Sequence, residues 1–146
     1  MIEGGIYNWV VPLGRTLAGL MVGLFLGILG GWAALIFNAM IGYPWSVDIH
    51  LNLYFISIGL GAGLGCYFGW MNLALRWHLI AGSILLVLVG AIAGTYLGLA
   101  YGQNVDPTYL GRAYTIENGL HFGAAIGGIT VSTALGLFND RRTMGR

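Results

Sequence analysis

The sequence predicts an all-α membrane protein, with four transmembrane helices in a glycine-zipper (GxxxG) bundle built as two tandem helical hairpins. Three observations carry this. Charged residues are 8% of the chain and hydrophobic residues 58%, whereas a soluble domain carries about 25% charged residues. There is too little polar surface to cover a globule of 146 residues. The few charges also leave long gaps. None lies between Arg15 and Asp48, between Asp48 and Arg76, between Arg76 and Asp106, or between Glu117 and Asp140. Each gap exceeds the ~20 residues that cross a bilayer as helix. The third observation is glycine at every fourth position along those gaps.

The gaps divide one integral-membrane domain, residues 1–146, into spans near 10–42, 49–75, 78–102 and 115–138. The first span follows Glu3, with no basic residue before Arg15. Its apolar run is longer than the 7–15 residues of a signal-peptide core, so it is expected to be retained. It should stop near Gly42, because Pro44 disfavours helix at the residue before it. Ser46 or Asp48 is placed to cap the second span by accepting from free backbone N–H groups. The second and third spans meet at a short turn around Arg76, Trp77 and His78, which makes them antiparallel neighbours. Gly102 to Pro107 ends the third. Thr115 is expected to cap the fourth, with Glu117 in its first turn where negative charge meets the positive end of the helix dipole.

Glycine costs about 1 kcal/mol against alanine inside a helix in water, yet it recurs at Gly19, Gly23, Gly27 and Gly31 in the first span. The spacing returns at Gly61, Gly65 and Gly69, then at Gly90, Gly94 and Gly98, then at Gly119, Gly123 and Gly127. In lipid the hydrophobic effect does not draw helices together, and small residues at i and i+4 form a flat strip that lets two backbones approach. Unpaired backbone groups in lipid cost several kcal/mol and enforce helix regardless of propensity. These glycines are therefore expected to be helix-packing positions. Small residues on more than one face of the second and fourth spans leave at least one file for a partner. A shift of 63 residues lays Gly19, Gly27 and Gly31 over Gly82, Gly90 and Gly94, and a shift of 62 lays Gly61 and Gly65 over Gly123 and Gly127. Two parallel hairpins would produce this repeat.

Orientation follows from arginine, since the chain has no lysine. Arg15, Arg76, Arg141, Arg142 and Arg146 fall on the side of the termini, and Arg112 alone on the other. Cytoplasmic loops carry the excess of basic residues, so both termini are expected on the cytoplasmic side of a bacterial inner membrane or the equivalent side of an organelle inner membrane. Tyr43, Trp45, Tyr54, Tyr101, Tyr109 and Tyr114 mark the opposite boundary.

Few residues point to chemistry. Cys66, mid-span and the only cysteine, reads as a small packing residue. Arg15 is expected to snorkel to the interface, His78 to sit at the interface, and His50 to lie at a wet helix end. Glu117 and His121 stand apart. At i and i+4 they share a helix face, and ionisable groups inside a span are expensive and point to a site. One reading has His121 bonding Glu117 or a backbone carbonyl and locking the bundle. The other makes the pair a cofactor site: a haem or chlorin ligand, a quinone contact or a proton-accessible pair. No cofactor is required by the sequence.

The function expected from these features is a non-catalytic accessory subunit of a larger membrane complex, such as a respiratory or photosynthetic electron-transport assembly, with other membrane subunits, further copies of itself and lipids as its neighbours. No feature calls for nucleic acid. Two alternatives stand beside it: a small oligomeric channel or transporter, and a haem- or chlorin-binding membrane subunit using His121.

Overall fold

A computed structural model describes residues 3–42, 45–71, 75–106 and 111–144, and among these the side chains from 9 to 139. Tyr43, Pro44, Pro107, Tyr109 and Arg146, and the side chains of Glu3, Arg141 and Arg142, lie outside the described residues. The chain forms four helices: α1 (Glu3–Met40), α2 (Val47–Trp70), α3 (Trp77–Asn104) and α4 (Arg112–Met144). All four are long and apolar enough to cross a membrane. Helix is the form that closes every backbone hydrogen bond within its own segment, as lipid demands.

The helix ends differ from the sequence expectation in instructive ways. α1 ends at Met40, and Gly42 takes a left-handed φ of 73°, a conformation glycine enters without strain. Ser46 does occupy the N-cap of α2, but its side chain makes no capping bond, and its backbone carbonyl receives the N–H of Ile49 and of His50. α2 ends at Trp70, short of 75. Thr115 is not a cap. α4 begins at Arg112 directly after Gly111, whose φ is 96°, so Thr115 lies inside the helix and its hydroxyl donates to the Gly111 carbonyl at 3.1 Å. Glu117 consequently lies beyond the first turn.

α1 packs most extensively on α2, and α3 on α4; α2 also touches α3 and α4, and α4 touches α1. Among the described residues α1 and α3 do not meet. The pattern is unchanged when α1 is exchanged with α3 and α2 with α4, the symmetry of two like hairpins side by side with α2 and α4 innermost.

Between α1 and α2, and between α3 and α4, several glycines lie against the facing backbone. A Cβ added to Gly65 would lie 2.6 Å from the Gly23 Cα, and one on Gly69 2.7 Å from the Gly19 Cα. In the second hairpin a Cβ on Gly94 would overlap the carbonyl of Gly123, and one on Gly98 that of Gly119. Gly94 and Gly123 are thus each other's neighbours, whereas a Cβ on Gly82 would have nothing within 4 Å. Between hairpins both side chains and backbone meet: a Cβ on Gly59 would lie 2.8 Å from the Ile92 Cα. Ile58, Ala62, Ala91, Leu120 and Ala124 form one buried cluster, and Cys66, Tyr67, Trp70, Val87 and Ile129 a second nearer Arg76. Cys66 does more than fill space: its thiol donates to the Ala125 carbonyl at 3.4 Å, and the Ser132 hydroxyl returns to the Cys66 carbonyl at 3.0 Å. This reciprocal pair joins α2 to α4. The guanidinium carbon of Arg15 lies 5.7 Å from the centre of the Trp70 ring, within cation–π range.

Candidate functional site

The end of the bundle opposite Arg76 holds the polar residues that packing alone does not explain. Glu117 and His121 lie on α4, on the stripe that continues through Ala124, Gly128 and Ser132. Lower down that stripe is buried: Ala124 is fully covered and Gly128 rests against Cys66 and Ala91. At His121 the stripe emerges into a cleft of about 430 Å³ between α1 and α4. Leu24, Ile28, Trp32 and Leu35 of α1 form one wall; Tyr114, Glu117, Asn118, His121 and Phe122 of α4 form the other, with Tyr54 of α2 between them. Its rim is exposed, Trp32 at 62% and Phe122 at 52%, so the cleft opens where lipid would lie.

Glu117 and His121 do not pair side chain to side chain through Nδ1. The His121 Nδ1–H donates instead to the backbone carbonyl of Glu117, at 2.9 Å. A carbonyl can only accept, so in the neutral ring the proton is on Nδ1 and Nε2 carries the lone pair. The Glu117 carboxylate lies near the hydroxyl of Tyr54 on α2, which lines the same cleft. His121 Nε2 is therefore an acceptor, while Tyr114 and Asn118 on the same wall carry O–H and N–H donors.

Tyr54 and Leu35 also line a second cavity of about 360 Å³, with Asn38, Val47, His50 and Leu51. Here the expectation of a wet helix end for His50 fails. His50 is half-buried, its Nδ1–H donates to Asn38 Oδ1 at 3.0 Å, and its ring centre is 5.9 Å from that of Trp45. Asn38 itself is 2% exposed. His78 remains exposed beside Trp77, the two rings edge to face at 6.1 Å.

Sequence reasoning placed Glu117 and His121 together and missed Tyr54, Asn38 and Trp32. A buried asparagine in an uncharged span is a readable signal, since a polar group in lipid needs a partner. Tyr54 was assigned to the interfacial belt, and no rule of sequence spacing ties it to Glu117. Among the described residues no three His, Cys, Asp or Glu side chains gather to hold a metal ion. His121 is the one imidazole among the residues lining the cleft, so a cofactor metal held here would have to bind its Nε2. Comparison with protein-family models, with curated proteins and with solved structures finds no match for the chain.

Proposed function

We propose that the chain is a structural, accessory integral-membrane subunit of a larger membrane complex, of the kind respiratory and photosynthetic electron-transfer assemblies contain. Its glycine files act as zippers, first inside each hairpin and then toward a neighbouring subunit. The observation that carries this reading is a groove of about 690 Å³ on the lipid-facing side of the α3–α4 seam, floored by Gly94, Gly98, Gly119, Gly123 and Gly127 and flanked by Leu97, Tyr101, Phe122 and Ile126. A glycine floor between apolar rims accepts a transmembrane helix at close range. Leu97 is 72% and Ile126 57% exposed, and a partner helix would cover both. In this reading the termini face the cytoplasm or its organelle equivalent, and the partner's helix enters from the lipid side.

The test is native mass after extraction in mild detergent. The untagged chain should run as part of a larger complex, and filling the groove with Leu97→Trp and Ile126→Trp should release it as a folded, smaller species. A chain that runs alone before any substitution overturns the proposal, as does a complex indifferent to the double substitution.

A further inference from the structure

At the Arg76 end of the bundle the two hairpins meet through unlike residues. The shift of 62 residues that carries Gly61 onto Gly123 carries Trp70 onto Ser132, so an indole on α2 stands where the repeat puts a hydroxyl on α4. Both are buried, Trp70 at 5% and Ser132 at 1% exposure. The Ser132 hydroxyl gives its hydrogen to the Cys66 carbonyl and keeps its lone pairs. The indole has no such outlet: its Nε1–H is buried and meets no acceptor among the described residues. Its ring is packed in place, since a Cβ on Gly136 would overlap the indole Cε3. A buried N–H without a partner is costly, and in membrane helices ordered water is one of the groups that meets such a need.

We propose that a single water molecule is bound here, accepting from the Trp70 N–H and donating to Ser132 and Ser83. Trp70 and Ser132 line one small cavity together with Tyr67 of α2, Ser83 of α3 and Gly136 of α4. It leaves about 10 Å³ open to the centre of a water molecule, close to the least space that holds one. Size therefore selects the occupant, because a lipid head group, a hydrated ion or any organic cofactor is larger. The hydrogen bonds also balance. Water has a lone pair for the indole and two hydrogens to give, and the Ser132 oxygen, its own hydrogen committed, can only accept. Ser83 takes the second hydrogen. The site joins three helices where the α3–α4 glycine seam has ended, for a Cβ on neighbouring Gly82 would have nothing within 4 Å. It lies apart from the lipid-facing groove and does not depend on any partner subunit.

The full chain in lipid nanodiscs, with isotope-labelled indole nitrogens, tests this by proton NMR. The Trp70 signal is the one that Trp70→Phe removes. It should show a dipolar cross-peak to water, of the sign given by a long-lived bound molecule. Its exchange with bulk solvent should be at least about tenfold slower than that of Trp77, which is 78% exposed. Ser83→Val removes one acceptor and fills the cavity, so it should abolish the cross-peak. Thr130→Val, at an exposed hydroxyl bonded to its own helix, should leave it intact. The measurement on the unaltered chain stands even if Ser83→Val folds poorly. A Trp70 N–H with no cross-peak to water overturns the proposal. So does a cross-peak that survives Ser83→Val, or one that arises from solvent exchange at the rate of Trp77.

Discussion

Glu117 and His121 are four residues apart on one helix and yet face different neighbours: a phenol on α2 lies near the first, and the second bonds its own helix backbone. The consequence for stability is specific. Removing the imidazole leaves no buried group without a partner, because the carbonyl it bonds already belongs to the α4 ladder. Removing the Tyr54 hydroxyl takes a nearby O–H dipole away from a carboxylate at the membrane boundary. Polar contacts between membrane helices average about 0.6 kcal/mol and reach about 1.7, and hydrogen bonds to charged groups lie at the upper end. Tyr54→Phe should therefore lower the unfolding free energy by about 1 kcal/mol, more than His121→Leu and more than His78→Leu. Unfolding of the purified chain in mixed detergent micelles measures this. If Tyr54→Phe unfolds with the unaltered chain, phenol and carboxylate do not support one another. The i and i+4 relation of Glu117 and His121 was legible because helical spacing is local. The Tyr54 contact was not, because it depends on how two helices cross.

Among the helices, glycine acts by the distance it permits. Gly98 and Gly82 lie on the same helix with the same residue type, but a Cβ on Gly98 would overlap the Gly119 carbonyl and one on Gly82 would meet nothing. Gly98→Ala should destabilise the chain by about 1–3 kcal/mol, the usual cost of overpacking. Gly82→Ala should be neutral or stabilising by up to about 1 kcal/mol, since alanine is the better helix former. The same unfolding measurement reads both, and equal effects would mean that the α3–α4 approach is looser than described. The period of four that marks the glycine files is visible in the sequence, as are the four spans themselves. Which glycine meets which is not, since period alone fits Gly82 into the file of Gly90 and Gly94 as well as it fits Gly98. Helix starts were less legible still: Thr115 carries the chemistry of a cap, but the left-handed Gly111 starts α4 earlier.

For the molecule as a whole, Arg112 is the one arginine against the charge bias, and the structure gives it a local task. Its guanidinium donates to the carbonyls of Gln103 and Val105 at the end of α3, where a cation also complements the negative end of the helix dipole. Arg112 is thus tied to α3. A cysteine placed after Arg142, in a chain carrying Cys66→Ala, should react with a membrane-impermeant maleimide from the cytoplasmic side of sealed vesicles and stay unlabelled from the opposite side. Labelling from the opposite side alone would reverse the orientation and place the α1–α4 cleft in the cytoplasmic leaflet.

The seams that hold Gly23 against Gly65 and Gly94 against Gly123 join helices that are consecutive in the chain, and this bears on how the protein is made. Contacts between neighbours in sequence close short loops and form quickly, and chains assemble from the N-terminus as they are synthesised. Once Trp70 has left the ribosome, α1 and α2 have each other's glycines and can leave the insertion machinery as a closed pair. The second pair then follows with its own seam already encoded. What waits for the complete chain is the face between the pairs, where Cys66, Ala125 and Ser132 exchange their bonds and where the cleft around His121 takes its shape.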